Sequence, residues 1–258
     1  MTKGTPTVIV IAHLSDIHID GGQRSADRTQ TVMHYLEDLP YDLDAVLVTG
    51  DIADHAAPAE YEQARRLLTS RHPVVLCPGN HDERAAFRQY LLGQPGSAAP
   101  INQVHYATGV VIALCDSSVP GQDEGFLEDE TLAWLEDVLA QAPDRTPVFV
   151  GFHHPPVPLH APLVDGIRQF GAERLAALAD RRVNLAAFLC GHAHTAAATT
   201  FAGRPLLVAP GVVSTVRLPW EHHAHPEDDV YLDQPPALAF HVLDDEGRLT
   251  THYRSVTD

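Results

Sequence analysis

Cysteine is scarce in this 258-residue sequence, and its distribution excludes a protein held together by disulfides. There are three cysteines, Cys77, Cys115 and Cys190, and an odd number cannot form a complete set of internal disulfides. Each cysteine ends an apolar run, where it behaves as a small hydrophobic residue. No CxxC pair is present to indicate thiolate metal ligands. We therefore predict three reduced core cysteines in a cytoplasmic protein.

Positive charge is also scarce. The chain has 17 Lys and Arg residues against 34 Asp and Glu residues, so its formal net charge is −17. Proteins that bind long nucleic acids non-specifically need a basic face, so this composition excludes that class of partner. A small anionic substrate is compatible with it, because a bound metal ion can supply the positive charge.

Long apolar runs are absent too. None approaches the roughly 20 residues needed to cross a bilayer, so we predict no membrane partner. The N-terminal run VIVIAHL is interrupted by His13 and ends at Ser15-Asp16, which favours a first strand over a signal peptide. His13 is predicted to pack in the core.

The sequence does contain a regular alternation of strand and helix patterns. Short apolar runs rich in Val and Ile predict buried strands over 8–14, 45–49, 73–77, 147–152 and 185–190. Helical spacing of apolar residues predicts helices over 24–38, 58–69, 128–141 and 171–180. This alternation predicts an α/β fold. Hairpin patterns at 104–116, 199–211 and 237–256 indicate mixed strand directions and two sheets.

No shift in composition marks a domain boundary, so residues 1–258 are predicted to form a single domain. The segment 217–236 is rich in Pro, His and acids and predicts a long loop, a kind of loop that is usually functional or mobile. It could serve as a lid, or as an interface in a homo-oligomer. Its His222, His223 and His225 would line the substrate entrance or face solvent. Its Trp220 would stack on a nucleobase or pack.

All five predicted strands are followed by side chains of the types that bind metals. These candidate ligands are Asp16, His18, Asp51, Asn80, His153, His192 and His194. Ligands in open α/β sheets bind outside the carboxyl ends of the strands, where these side chains would converge. The Asp-x-His and His-x-His spacings would point both members of each pair the same way if the segments were extended. Seven ligands exceed one four-coordinate site, and they suit two metals that share a carboxylate.

Each motif alone has an ordinary structural explanation. Ser15-Asp16 after a strand is often a cap or turn, and Gly50-Asp51 is a common turn. The joint occurrence of five such motifs, each after a buried strand, favours a metal centre over five coincidences. Imidazole with carboxylate and amide oxygens suits Mn, Fe, Zn or Co.

The series DIH, GD, GNHD, HH and GHAH resembles the five sequence blocks of the calcineurin-like metallophosphoesterase superfamily. The resemblance covers residues 8–210 and is strongest to bacterial class III cyclic nucleotide phosphodiesterases and glycerophosphodiesterases. It implies a four-layer αββα double β-sandwich, with mixed sheets flanked by helices. It also implies one metal held by Asp16, His18, Asp51 and His194, and a second held by Asp51, Asn80, His153 and His192. Asp51 would bridge the two metals, and His81 would face the phosphate as the catalytic histidine.

We accordingly predict a metal-dependent phosphoric diester hydrolase in which a hydroxide between the metals attacks a small phosphodiester. A 3′,5′-cyclic nucleotide such as cAMP is the first choice of substrate. The alternatives are a glycerophosphodiesterase, a broad-specificity phosphodiesterase or phosphomonoesterase, and a non-catalytic scaffold of the same fold. The scaffold hypothesis predicts missing ligands, and all seven are present.

Three further residues are candidate substrate contacts because they lie beside the motifs: His154, Arg84 and His55. The alternatives are a structural hydrogen bond for His154 and plain solvent exposure for Arg84 and His55. Asp82 follows His81 directly and would either orient it or cap a helix that begins near Glu83.

Overall fold

The computed structural model describes residues 8–143, 145–221 and 229–257 and contains two β-sheets packed face to face. The first sheet has the strand order β15-β14-β1-β2-β3. Its strands are β1 (Ile9–Leu14), β2 (Ala45–Thr49), β3 (Val74–Cys77), β14 (Ala237–Leu243) and β15 (Leu249–Ser255). β1, β2 and β3 run parallel, whereas β14 is antiparallel to both β1 and β15.

The second sheet has six strands in the order β10-β11-β9-β7-β5-β4. They are β4 (Gln103–Ala107), β5 (Val110–Leu114), β7 (Val148–Gly151), β9 (Leu185–Cys190), β10 (Ala197–Phe201) and β11 (Arg204–Val208). The four central strands are parallel, and antiparallel β4 and β10 form the two edges. Two short pairs lie outside the sheets: β6 (Gly125–Phe126) with β8 (Gln169–Phe170), and β12 (Thr215–Val216) with β13 (Val230–Tyr231).

Helices cover the outer face of each sheet. They are α1 (Gln23–Glu37), α2 (Pro58–Leu67), α3 (Arg84–Ala86, continued by a π-helical turn over Phe87–Leu91), α4 (Asp129–Gln141), α5 (Pro162–Asp165) and α6 (Ala172–Ala179). Residues of α1 and α2 pack on the first sheet, and residues of α4 and α6 pack on the second. The predicted four-layer αββα sandwich is therefore confirmed.

The burial of β1 on both faces explains its continuous apolar run. Ile9 and Ile11 point between the two sheets, whereas Ala12 and Leu14 point toward the helices. A strand covered on both sides needs apolar residues at every position rather than at alternate ones. The three cysteines are free and buried, as predicted.

The segment 217–236 is not one uninterrupted loop. Val230 and Tyr231 form β13 and pair with Val216 and Thr215 of β12. The candidate residues His222, His223 and His225 lie outside the described residues. Trp220 is exposed, with 66% of its surface accessible. Within the described ranges, no helix is long and apolar enough to span a membrane.

Candidate metal centre

The carboxyl ends of β1, β2, β3, β7 and β9 meet at one edge of the sandwich. Main-chain hydrogen bonds tie the loops together there: Asp16 N donates to Gly50 O over 3.2 Å, and His18 N donates to Asp51 O over 2.9 Å. Within the second sheet, Gly191 N donates to His153 O over 3.0 Å, and His192 N donates across to Asp16 Oδ2 of the first sheet over 3.2 Å. The predicted convergence of the five motifs at this edge is therefore present.

The backbone turns sharply at most of the candidate ligands. Among the described residues, eight non-glycine residues have positive φ, and five of them are Asp16, His18, Asp51, His192 and His194. This left-handed region costs about 1–3 kcal/mol per residue and persists only where the surroundings enforce it. The expected extended geometry of the Asp-x-His and His-x-His pairs is therefore wrong. Successive left-handed turns, rather than strand alternation, direct these side chains inward.

One group of donors consists of Asp16, His18, Asp51 and His194, whose ligand atoms all lie within 4.8 Å of one another. The Nε2 atoms of His18 and His194 are 3.2 Å apart, and Asp16 Oδ1 lies 3.4 Å from His194 Nε2. His18 Nδ1 donates to Asp54 Oδ1 over 2.8 Å, so its Nε2 presents a lone pair. Asp16 Oδ1 is buried without a hydrogen-bond partner. Such an orphaned carboxylate oxygen fits a cation that these atoms share.

The second group surrounds His153. Its Nε2 lies 3.2 Å from Asn80 Oδ1, 3.2 Å from His192 Nδ1 and 3.3 Å from Asp51 Oδ2. His153 Nδ1 donates to the main-chain oxygen of Thr49 over 2.7 Å, which leaves the Nε2 lone pair facing this cluster. These nitrogen and oxygen atoms converge on one point, and such an arrangement again fits a cation.

Asp51 Oδ2 connects the two groups. It lies 3.5 Å from His18 Nε2 on one side and 3.3 Å from His153 Nε2 on the other. One carboxylate oxygen is therefore close to both groups of donors. Only nitrogen and oxygen donors are present, and such a donor set suits Mn, Fe, Zn or Co.

The electrostatics of the cluster favour positive charge between its carboxylates. Burial lowers the pKa of His18, but its hydrogen bond to Asp54 and the charges of Asp51 and Asp16 raise that pKa to about 9. Burial also lowers the pKa of His153, and Asp51 raises it to about 9. Burial raises the pKa of Asp51, but the charge of His153 outweighs this effect and holds the pKa well below its usual value. The same field would stabilise bound metal cations.

His81 lies beside the two groups rather than within them. Its main-chain N donates to Asp51 Oδ1 over 3.0 Å, and its ring Nδ1 donates to Asp54 O over 2.9 Å. The side chain is 40% exposed, and its ring meets that of His18 edge-on at 4.6 Å between centroids. The ring therefore lies at the rim of the centre.

Two of the three candidate substrate contacts are enclosed in the protein. His154 is fully buried; its Nδ1 bonds to Ser117 Oγ over 2.8 Å and its Nε2 to Asp123 O over 3.2 Å. Arg84 is 4% exposed, and its guanidinium is bound to Asp116 and Glu128, so the expected solvent exposure is wrong. Both side chains are therefore bound by other groups of the protein, and a role of either in substrate contact stays a prediction.

His55 is the candidate that faces solvent. Its side chain is 67% exposed, and it contacts Glu60 through Nδ1 at 2.8 Å and Asp54 through Nε2 at 3.3 Å. The hydrogen bond to Glu60 raises the pKa of His55 above its ordinary value. Of the three candidates, His55 is the one whose side chain is open to solvent.

Asp82 neither orients His81 nor caps a helix. Its carboxylate accepts hydrogen bonds from the main-chain N of Ile52, Ala53 and Gly79, and so joins the loops after β2 and β3. Glu83 caps the short helix instead, because its side chain accepts from the first main-chain N–H groups.

Sequence reasoning missed several residues that orient the ligands. Asp54 holds His18 and His81, Ser214 Oγ lies 2.6 Å from His194 Nδ1, and the Thr49 carbonyl holds His153. Partners of this kind fix the tautomer and orientation of metal-binding histidines. The second aspartate in Asp51-Ile-Ala-Asp54 was the one local signal, whereas Ser214 is brought in from a distant loop.

A family model described as calcineurin-like phosphoesterase matches residues 9–196. The chain belongs to this family. Glycerophosphodiester phosphodiesterase GpdQ of Enterobacter lignolyticus is 34% identical over 250 residues, which cover 90% of this chain and 86% of that protein. A cAMP/cGMP dual specificity phosphodiesterase of Mycobacterium tuberculosis is 33% identical and covers 80% of this chain and 68% of its own length.

Two solved structures share the fold. A dimetal phosphatase from Danio rerio has a TM-score of 0.67 at 17% identity and covers 98% of this chain and 100% of its own. Purple acid phosphatase PPD1 from yellow lupin has a TM-score of 0.69 at 14% identity and covers 98% of this chain and 52% of its own. Membership of a phosphoesterase family with phosphodiesterase relatives confirms the predicted class, a metal-dependent phosphoric diester hydrolase.

Proposed function

We propose that this protein is a dinuclear-metal phosphodiesterase that hydrolyses a small phosphodiester, with 3′,5′-cyclic nucleotides such as cAMP as the first candidates. The observation that carries the proposal is the position of Asp51 Oδ2, 3.5 Å from His18 Nε2 and 3.3 Å from His153 Nε2. Asp16, His18 and His194 would complete one metal site, and Asn80, His153 and His192 the other. Bound metals would polarise the phosphoryl group and lower the pKa of a water molecule to give a nucleophile at neutral pH.

His81 is proposed as the catalytic histidine. Its Nδ1–H donates to the main-chain oxygen of Asp54, and in the protonated imidazolium form Nε2–H would donate its proton to the leaving oxygen or to a phosphate oxygen. The fixed Nδ1 contact keeps the ring at the rim, so the imidazole does not have to be ordered during the reaction.

A cavity of about 270 Å³ adjoins His81 and is proposed to receive the ester group of the substrate. Its walls come from the loop after β3 and from residues 118–121. Arg84 lines it, but the guanidinium is already bound by Asp116, Glu128 and the Ser118 carbonyl. Because the charge of Arg84 is already paired, this cavity suits an uncharged alcohol or nucleoside better than a second anionic group.

A glycerophosphodiester is the second candidate substrate. The specific observation in its favour is the 34% identity to GpdQ of Enterobacter lignolyticus, which extends over 90% of this chain. The proposed metal centre would serve either substrate, and the same holds for a broad-specificity diesterase or monoesterase. The free, buried cysteines support the proposed cytoplasmic location, and the homo-oligomer stays a prediction.

The test combines metal analysis with a substrate panel. We expect two transition-metal ions per chain, and turnover of bis(p-nitrophenyl) phosphate and of 3′,5′-cAMP. The panel would also contain 2′,3′-cAMP, glycerophosphodiesters and phosphomonoesters, compared by kcat/KM. Metal-loaded protein that hydrolyses none of these esters would refute the proposal.

Asp51→Asn provides the matched variant for the bridging role. It keeps the shape of the side chain but removes the charge that both sites would share, so we expect reduced occupancy of both metals. Asp137→Asn, at an exposed position of α4, is the control for a lost carboxylate and should retain both. Two metals retained by Asp51→Asn in elemental analysis would contradict the bridging assignment.

A further inference from the structure

Two buried histidines are not used by the proposed mechanism. His13 on β1 and His241 on β14 are 0% and 1% exposed and lie between the two sheets. His13 Nδ1 is 3.0 Å from His241 Nε2. Burial lowers the pKa of His13 well below its ordinary value and that of His241 to about 3, so both rings are neutral. A pair of neutral imidazoles in a sandwich core is costly to bury unless its nitrogens are all bonded.

The pair forms the middle of a chain of hydrogen bonds. At the outer end, His241 Nδ1 is 2.9 Å from the hydroxyl of Thr251 on β15. At the inner end, His13 Nε2 is 2.8 Å from the Thr49 hydroxyl. The Thr49 hydroxyl bonds to Ser15 Oγ over 3.0 Å, and Ser15 Oγ donates to the Thr49 carbonyl over 2.9 Å.

The direction of this chain follows from counting protons. A main-chain carbonyl can only accept a hydrogen bond, so the Ser15 hydroxyl donates its proton to the Thr49 carbonyl. The Thr49 hydroxyl in turn donates its proton to Ser15 Oγ. The Thr49 hydroxyl must then accept from His13 Nε2–H. His13 Nδ1 must therefore accept from His241 Nε2–H. The opposite direction would leave the bond from Ser15 to the Thr49 carbonyl unmade.

The inner end of the chain lies where three ligand-bearing segments meet. The Thr49 carbonyl also accepts the Nδ1–H of His153 over 2.7 Å. Ser15 directly precedes Asp16, and Thr49 lies two residues before Asp51. Any displacement of Thr49 would therefore move candidate ligands of both metal sites.

We infer that His13 and His241 are positioning residues for the metal centre. Their hydrogen-bond chain, which has a fixed direction, holds Thr49 in place and with it the neighbouring candidate ligands. The inference rests on the proposed function, because it needs the ligands to bind metal. It differs from a packing role, since a packing role requires neither a defined tautomer nor an effect on metal affinity.

The first test reads the tautomers directly. Long-range ¹H–¹⁵N NMR of the histidine rings in zinc-loaded wild-type protein should show a proton on Nε2 of both His13 and His241. Spectra of His241→Gln assign the His241 signals. Protons on Nδ1 of both rings in the wild-type protein would overturn the inferred direction.

The second test compares His241→Leu with His241→Gln. Leucine fills the space but cannot donate to His13, whereas the glutamine amide can replace the Nε2–H donor. Loss of a direct outer-shell partner weakens metal binding about 10- to 100-fold. For this more remote residue we expect His241→Leu to weaken zinc affinity by about three- to tenfold. We also expect His241→Leu to lower kcat with little change in KM, and His241→Gln to restore both zinc affinity and kcat.

The outcomes separate the two proposals. If the wild-type protein binds zinc and hydrolyses diesters, but His241→Leu equals His241→Gln in zinc affinity and kcat, only the positioning role fails. A lower melting temperature for His241→Leu, without those changes, would mean that the pair serves packing alone. If the wild-type protein binds no metal, the proposed function itself fails.

Discussion

Replacement of Arg84 by methionine tests whether this residue holds the fold or binds the substrate. Its Nε lies 2.9 Å from Asp116 Oδ2, and its Nη1 lies 2.9 Å from Glu128 Oε1. Its Nη2 also donates to the Ser118 carbonyl over 2.7 Å. Asp116 is 0% exposed, so Arg84→Met would leave a buried carboxylate without its counter-charge.

The expected magnitude follows from this unpaired charge. Removing one partner of a buried ion pair costs about 3–5 kcal/mol of unfolding free energy. For a chain of this size, roughly 2–4 °C of melting temperature corresponds to each kcal/mol. We therefore expect a loss of about 6–20 °C at pH 8.

The penalty should also depend on pH. Burial already raises the pKa of Asp116, although Arg84 lowers it, so the variant should raise that pKa further. A carboxyl whose pKa is higher in the folded than in the unfolded state destabilises the fold as pH rises from the unfolded pKa to the folded one. The stability difference between Arg84→Met and wild type should therefore be smaller at pH 5 than at pH 8.

Urea unfolding at both pH values, with Arg84→Met/Asp116→Asn as the matched control, measures these differences. The double variant removes the unpaired charge, so its stability loss at pH 8 should be smaller than that of Arg84→Met. The reasoning would be refuted if Arg84→Met kept its stability and only KM rose. That result would return Arg84 to the substrate contacts.

Three further predictions concern the centre itself. His81→Ala should retain both metals in elemental analysis but lose kcat by about 10²- to 10⁴-fold, because only proton donation is removed; unchanged kcat would exclude that role. Gly79→Ala should lower metal occupancy, because a Cβ at this position would collide with Asp51. Normal occupancy would contradict this and show that the loop after β3 can move to accommodate the methyl group. Removal of bound metal by a chelator should lower the melting temperature, because a metal at 100 times its Kd stabilises the folded state by about 2.7 kcal/mol. Calorimetry with and without added metal measures this change, and equal melting temperatures would argue against a resident metal.

The sequence by itself was sufficient for the architecture and for the identity of the candidate ligands. Strands buried on both faces require unbroken apolar runs such as 45–49, and parallel strands present their carboxyl ends at one edge. Metal-type side chains that follow such runs can therefore be located without coordinates. Short elements such as the π-helical turn over Phe87–Leu91 were missed, because five residues are too few to show a periodicity.

Tertiary structure alone decided which side chains support the candidate ligands and which are buried away from solvent. Arg84 and His154 lie beside the motifs in sequence, but neighbouring strands and loops bury them. His13 meets His241 across 228 positions because β1 pairs with β14, with Ile11 opposite His241 and His13 opposite Ala239. Strand pairing of this range depends on the register of the whole sheet, which no local pattern encodes. The motifs therefore predicted the donors, and the packing of distant strands determined how those donors are held.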